Sequence, residues 1–246
     1  MTIKMEMNIT PLLTALIVGL AIAGIFTLQP VTAKIKTVFH SNPVVNTQIK
    51  FQSLQLILTA VVLLLTYFLN PENFAHFFRV GDINVHISKI AWLGVTGKET
   101  WLEIALTLGL YITIGTAIFM FFQLKKAGVD YRYFLFSLLW SIPFSMANAF
   151  SEEAIFRIGI VSPLYGIFSA SVIILISGVV FGVPHYFGMP SGVVGALMAG
   201  FLGWLLAMSL VETQGLLIAW AIHFAQDVVI ITSMILMSRK LNTTSK

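Results

Sequence analysis

The chain predicts an all-α fold, a polytopic bundle of about seven transmembrane helices with an eighth left open, and three observations carry that expectation. First, 58% of its 246 residues are hydrophobic and only 10% are charged. A soluble domain has roughly 45–50% apolar and about 25% charged residues. Second, apolar stretches long enough to cross about 30 Å of hydrocarbon recur along the chain. Third, most Lys and Arg residues fall between those stretches, where they set orientation and meet anionic headgroups. That accounts for the net charge of +4. Lipid is the partner it implies; nucleic acid is not, because no basic run with interleaved aromatics is present. There is no cysteine, which removes disulfides, thiolate metal sites and a cysteine nucleophile.

Taken in order, the spans fall near 9–28, 53–69, 101–124, 133–156, 167–187, 190–210 and 215–237. Lys4 precedes the first, and Pro30-Val31-Thr32-Ala33 resembles a cleavage site. The long apolar run and the six that follow favour an uncleaved anchor. Loop 29–52 holds Lys34, Lys36 and Lys50. Loop 125–132 holds Lys125, Lys126 and Arg132, and the tail holds Arg239, Lys240 and Lys246. With seven spans these share one face, which the positive-inside rule makes cytoplasmic. In loop 70–100, Arg79, Lys89 and Lys98 are balanced by Glu72, Asp82 and Glu99. Phe74, Phe77, Phe78, Ile83, Val85, Ile87 and Trp92 suggest that this loop rests along the interface. Gly159 and Pro163 break segment 158–166 into a re-entrant turn or a separate helix. The chain divides into an N-terminal part, 1–132, and a core, 133–240.

The core holds the chemistry. From Tyr133 to Met237 the ionisable residues, Tyr aside, are Glu152, Glu153, Arg157, His185, Glu212, His223 and Asp227. Glu212 falls where a loop is expected; the other six lie in three short patterns on or beside spans. A charge at bilayer depth costs about 2.5–3.5 kcal/mol on insertion scales, so its retention suggests a use. Glu153 and Arg157 are four apart and can pair on one helical face. Glu152 points about 100° away, toward a cavity where it can serve as a base. The bland alternative is a cap of charges at the headgroup level. Phe181 and His185 share a face, and Pro184 is expected to kink the helix beside the histidine. A lone membrane histidine is more often a helix–helix contact. His223 and Asp227, four apart, suit a carboxylate-oriented histidine or two ligands of one metal. Gly178-xxx-Gly182 and Ala196-xxx-Gly200, with Gly203, allow these helices close approach.

Glu-Glu-xxx-Arg, Phe-xxx-His and His-xxx-Asp, in that order on successive apolar segments, resemble the CPBP family. These are the CAAX-protease and bacteriocin-processing intramembrane endopeptidases, also called the Abi family. The likeness covers roughly 133–237. It implies peptide-bond hydrolysis inside the membrane, with Glu152 the general base and His185 helping to hold the water. It implies that His223 and Asp227 face the carbonyl oxygen or bind a metal, with Glu153 and Arg157 in support. As a metal set, Glu152, His185, His223 and Asp227 would suit zinc with an open water position. Whether the family works with zinc or without metal is disputed, and both stay open here. Two departures stand out. Ile158 separates Arg157 from Gly159, where the family often has glycine directly. Asp227 stands where eukaryotic prenyl-protein proteases of the family carry asparagine. An ionised carboxylate cannot donate to an oxyanion, so Asp227 is expected to orient His223 or help bind metal.

The partners implied are a membrane protein or peptide as substrate and the bilayer itself. Prenylated CAAX proteins, bacteriocin or pheromone leaders and other membrane peptides all qualify. A short chain without organelle signals suggests a multi-pass protein of a prokaryotic cell membrane. Two rivals remain. A proton-coupled carrier would show repeats or broken helices in both halves. A non-catalytic scaffold or immunity-type protein would be expected to lose a motif residue.

Overall fold

The structure, a computed structural model, describes residues 10–188 and 190–239. It is all-helical: α1 (Thr10–Lys34), α2 (Pro43–Leu69), α3 (Pro71–Phe77), α4 (Trp101–Ala127), α5 (Phe134–Glu153), α6 (Gly159–Leu164), α7 (Ala170–His185), α8 (Gly192–Thr213) and α9 (Leu217–Met237). Among the described residues, five units are long and apolar enough to cross a membrane: α2, α4, the continuous stretch Tyr131–Leu164, α8 and α9. The 16-residue α7 is apolar but shorter, and α1 has 25 residues. Exposed Leu106, Phe122, Leu139, Leu175 and Leu197 belong to an apolar belt on the outside of the bundle. With lipid outside, helix association rests on close packing and interhelical hydrogen bonds, not on hydrophobic burial.

Local chemistry sets several ends. Asn42 caps α2, its side chain accepting from Val44 and Val45 N at 3.0 Å each, and Pro43 takes the first turn, where no donor is required. Thr100 and Glu103 form a capping box at α4, and Gly128, at φ 64°, closes it.

Two expected boundaries move. The connection expected at 29–52 is short, because the Asn42-Pro43 cap starts α2 ten residues before the apolar run. Lys34 therefore ends α1 and Lys50 lies within α2, its Nζ donating to Ile35 O at 2.7 Å. Segment 158–166 is neither a re-entrant turn nor a separate span. The helix continues from α5 through Gly159 and Pro163 to Leu164, by way of a π-helical turn at Ala154–Ile158.

The basic segments do converge at one end of the bundle. Asn42 Nδ2 donates to Ser238 Oγ at 2.8 Å, and Asp130 N donates to Arg239 O at 3.0 Å. Lys4, Lys240 and Lys246 lie outside the described residues.

At the other end, segment 70–100 is docked on the turn between α8 and α9 as well as on the bundle surface. Phe77 and Ile87 are buried, while Trp92 is 70% exposed. The backbone of Gly81, at φ 86°, meets that of Gly215 so closely that neither position has room for a side chain. Glu212, expected in a loop, lies in the last turn of α8. It accepts from Trp101 Nε1 at 2.9 Å and Ser88 N at 3.1 Å.

Candidate active site

Glu152 and Glu153 are the last residues of α5, and the π turn follows at once. Gly159 N–H reaches back to Ala154 O, five residues earlier, so the helix widens by one residue there. Such turns recur at functional sites because they re-aim side chains without ending the helix. Gly159 has no room for a side chain, since a Cβ would stand 2.7 Å from Val62 Cγ1 on α2.

Arg157 is fully buried and pairs with Glu153, Nε to Oε2, at 3.0 Å, as the spacing of four predicts. Its guanidinium also lies over the Phe181 ring, 4.5 Å from the centroid. The other oxygen of Glu153 accepts from His223 Nδ1 at 2.7 Å. The carboxylate that orients this imidazole from Nδ1 is therefore Glu153 and not Asp227. With Nδ1–H engaged by Glu153, Nε2 is the ring nitrogen left over, an acceptor in the neutral ring and a donor in the protonated one. Glu152 Oε2 and Asp227 Oδ1 both stand 3.6 Å from that Nε2, close but beyond a direct hydrogen bond.

His185 ends α7. Pro184 sits in the last turn and the helix stops one residue later, so the kink expected there is a terminus. His185 Nδ1 pairs with Phe181 O at 2.7 Å, which makes Nδ1 the donor and leaves Nε2 free. The Phe181 ring stands between the two histidines, with centroids 4.5 Å from His185 and 5.6 Å from His223. The α7–α8 seam makes this possible. A Cβ on Gly182 would meet Ala196 O at 2.6 Å, and one on Gly203 would meet Phe181 Cβ at 2.9 Å.

His185, His223 and Asp227 line one cavity of about 340 Å³ between α4, α7, α8 and α9. Its other walls are mainly apolar, from Phe119, Met120, Met198, Phe201 and Leu202, with Thr116 and Gln226 as polar exceptions. Glu152 is not among the cavity's lining residues; its Oε2 lies beside the Nε2 edge of His223, as Asp227 Oδ1 does. The six residues singled out from sequence thus form one connected group, with Glu153 and Arg157 behind and the two histidines and Asp227 facing the cavity.

Asn148 was missed. It lies one turn before Glu152 and donates to Glu152 Oε1 at 3.2 Å and Asp227 Oδ2 at 3.0 Å. Gln52 of α2 donates in turn to Asn148 Oδ1 at 3.2 Å. The usable signal was an uncharged amide four residues before a carboxylate in an apolar span. Gln226, beside Asp227, is held by Thr116 of α4 at 2.7 Å. Zinc would need several donors converging on one point. Among the described residues no group of three or more His, Cys, Asp or Glu is arranged to hold a metal ion.

Residues 134–229 match the family model described as Type II CAAX prenyl endopeptidase Rce1-like. That segment is similar to the Rce1-like domain. It contains all three motifs and agrees with the CPBP resemblance. The Rce1-like match supports an intramembrane endopeptidase in a multi-pass membrane protein. No curated protein and no solved structure matches the chain.

Proposed function

We propose that the protein hydrolyses a peptide bond of a membrane-associated protein or peptide within the bilayer, with Glu152 as general base. The observation that carries this reading is the convergence of three carboxylates on His223, which lines a cavity together with His185. Glu152 Oε2 is buried and has no hydrogen-bond partner, 3.6 Å from His223 Nε2. That spacing suits a water bonded to both groups. Glu152 takes the water proton as the oxygen attacks the scissile carbonyl carbon, and the C–O bond forms as the carbonyl π pair moves to its oxygen. His223, doubly protonated and held by Glu153, donates from Nε2 to that oxyanion. Collapse breaks the C–N bond, and Glu152 returns the proton to the leaving amine. The free Nε2 of His185 helps to hold the water or the amine. The apolar cavity accepts the substrate chain. A prenylated CAAX protein or a leader peptide would suit it, and a prokaryotic cell membrane is the proposed setting.

Glu152→Ala, His185→Ala and His223→Ala should each lower cleavage by about 10²–10⁴-fold, the range for a lost acid–base group. The folded protein should remain in the membrane in each case. Comparative peptidomics of cells with active and Glu152→Ala protein reads both the loss and the cut site. Full activity in Glu152→Ala sinks the assigned base, and unchanged peptides favour the scaffold reading. A zinc-assisted variant of the reaction has its own test. Chelator-sensitive activity with stoichiometric zinc, lost in Asp227→Asn, would bring the metal back.

A further inference from the structure

We infer that Asn148 and Gln52 are positioning residues that decide which carboxylate oxygens of Glu152 and Asp227 are free to act. The inference rests on the hydrolase reading and extends it to a helix outside residues 134–229. Asn148 has two N–H bonds on Nδ2. One goes to Glu152 Oε1 at 3.2 Å and the other to Asp227 Oδ2 at 3.0 Å. The opposite oxygens, Glu152 Oε2 and Asp227 Oδ1, are the ones turned toward His223 Nε2. One amide thereby bridges two like charges and assigns each its free oxygen.

The direction of that amide is forced. Ionised carboxylates only accept, so Nδ2 must face them and Oδ1 must face away. On the far side Gln52 Nε2 donates to Asn148 Oδ1 at 3.2 Å, and to Gln48 Oε1 at 3.2 Å with its second hydrogen. Turning either amide round would set oxygen against oxygen. Gln52 is buried in α2, where a polar group without a bonded purpose is costly. Gln48 and Gln52 are four apart on one face, so α2 delivers the order as a rigid unit.

Infrared spectra of the full chain in lipid nanodiscs test this without a substrate. The carboxylate bands of Glu152 and Asp227 are assigned by their loss in Glu152→Gln and Asp227→Asn. Asn148→Leu should change the frequency of both bands together. Gln52→Leu should do so more weakly, and Gln55→Leu, a neighbour on the same helix with no bond to Asn148, should leave both in place. A prenylated CAAX reporter peptide supplies the kinetic arm. There Asn148→Leu should lower kcat by about 10–100-fold with KM unchanged, the sign of a group that acts through the transition state. Unchanged bands in Asn148→Leu, or a change in one band only, overturn the inference. If Asn148→Leu does not fold, Gln52→Leu and Gln52→Glu decide it. Gln52→Glu keeps the volume but removes the donor, so it should disturb the bands more than Gln52→Leu, and the reverse order counts against us. An active Glu152→Ala variant would strike the base assignment while leaving the infrared result intact, so the two failures are separable.

Discussion

Two helix contacts in the core are made by opposite means. Between α7 and α8, glycine removes side chains and backbones touch, with Gly182 against Ala196 and Gly203 under Phe181. Between α5 and α9, side chains fill the gap, and they are charged: Glu153, Arg157 and His223 are buried together with their partners. The first contact depends on shape. The second depends on complementary charge, and each member is tolerable only while the others are present. The cavity lies where the two contacts meet, so one wall is apolar and the other presents His223 and Asp227. The cavity's apolar wall and its polar edge thus have separate physical origins.

The largest test of that contrast is Arg157→Met. It leaves Glu153 buried without its cation, and breaking a buried pair this way costs about 3–5 kcal/mol. Thermal unfolding in detergent should show that loss, and Glu153→Gln with Arg157→Met should recover most of it. A single Arg157→Met that melts like the native protein would contradict the charge-dependent account. Next comes Gly182→Val in the seam, where overpacking costs about 1–3 kcal/mol. It should also lower cleavage, because His185 is one turn away, so a variant that loses neither stability nor activity would show the seam to be loose. The smallest effect belongs to Thr232→Val, which removes the 2.7 Å bond from Thr232 Oγ1 to Ser141 Oγ at the α5–α9 contact. Interhelical hydrogen bonds in membranes average about 0.6 kcal/mol. A loss several times larger would mean that neutral bonds, and not the ions, hold these helices.

Much of the site could be read directly from residue order. Glu153 and Arg157 at a spacing of four pair as the helical period requires, and the three motifs meet because each stands in a helix that packs against the others. The spans were legible as well, since lipid demands apolar runs. What escaped was whatever depends on a partner far away in sequence. Asn148 is silent until Asp227, 79 residues on, comes within 3.0 Å of it. Gln52 reads as an ordinary polar residue in a connection because nothing local marks Asn42-Pro43 as the start of a helix that will face the core. The π turn has no periodic signature, and Glu153 had two possible partners where only Arg157 was local.

Composition and motif order alone therefore determined a helical membrane protein with carboxylate and imidazole side chains grouped in its C-terminal part. Hydropathy is a property of single segments, and so survives without the fold. Which carboxylate oxygens stand beside His223 Nε2, and which neighbour holds the others away, was decided only when α2, α5 and α9 came together. Hydrogen bonds are directional and act over about 3 Å. Their pattern belongs to the assembled helices, not to any one of them.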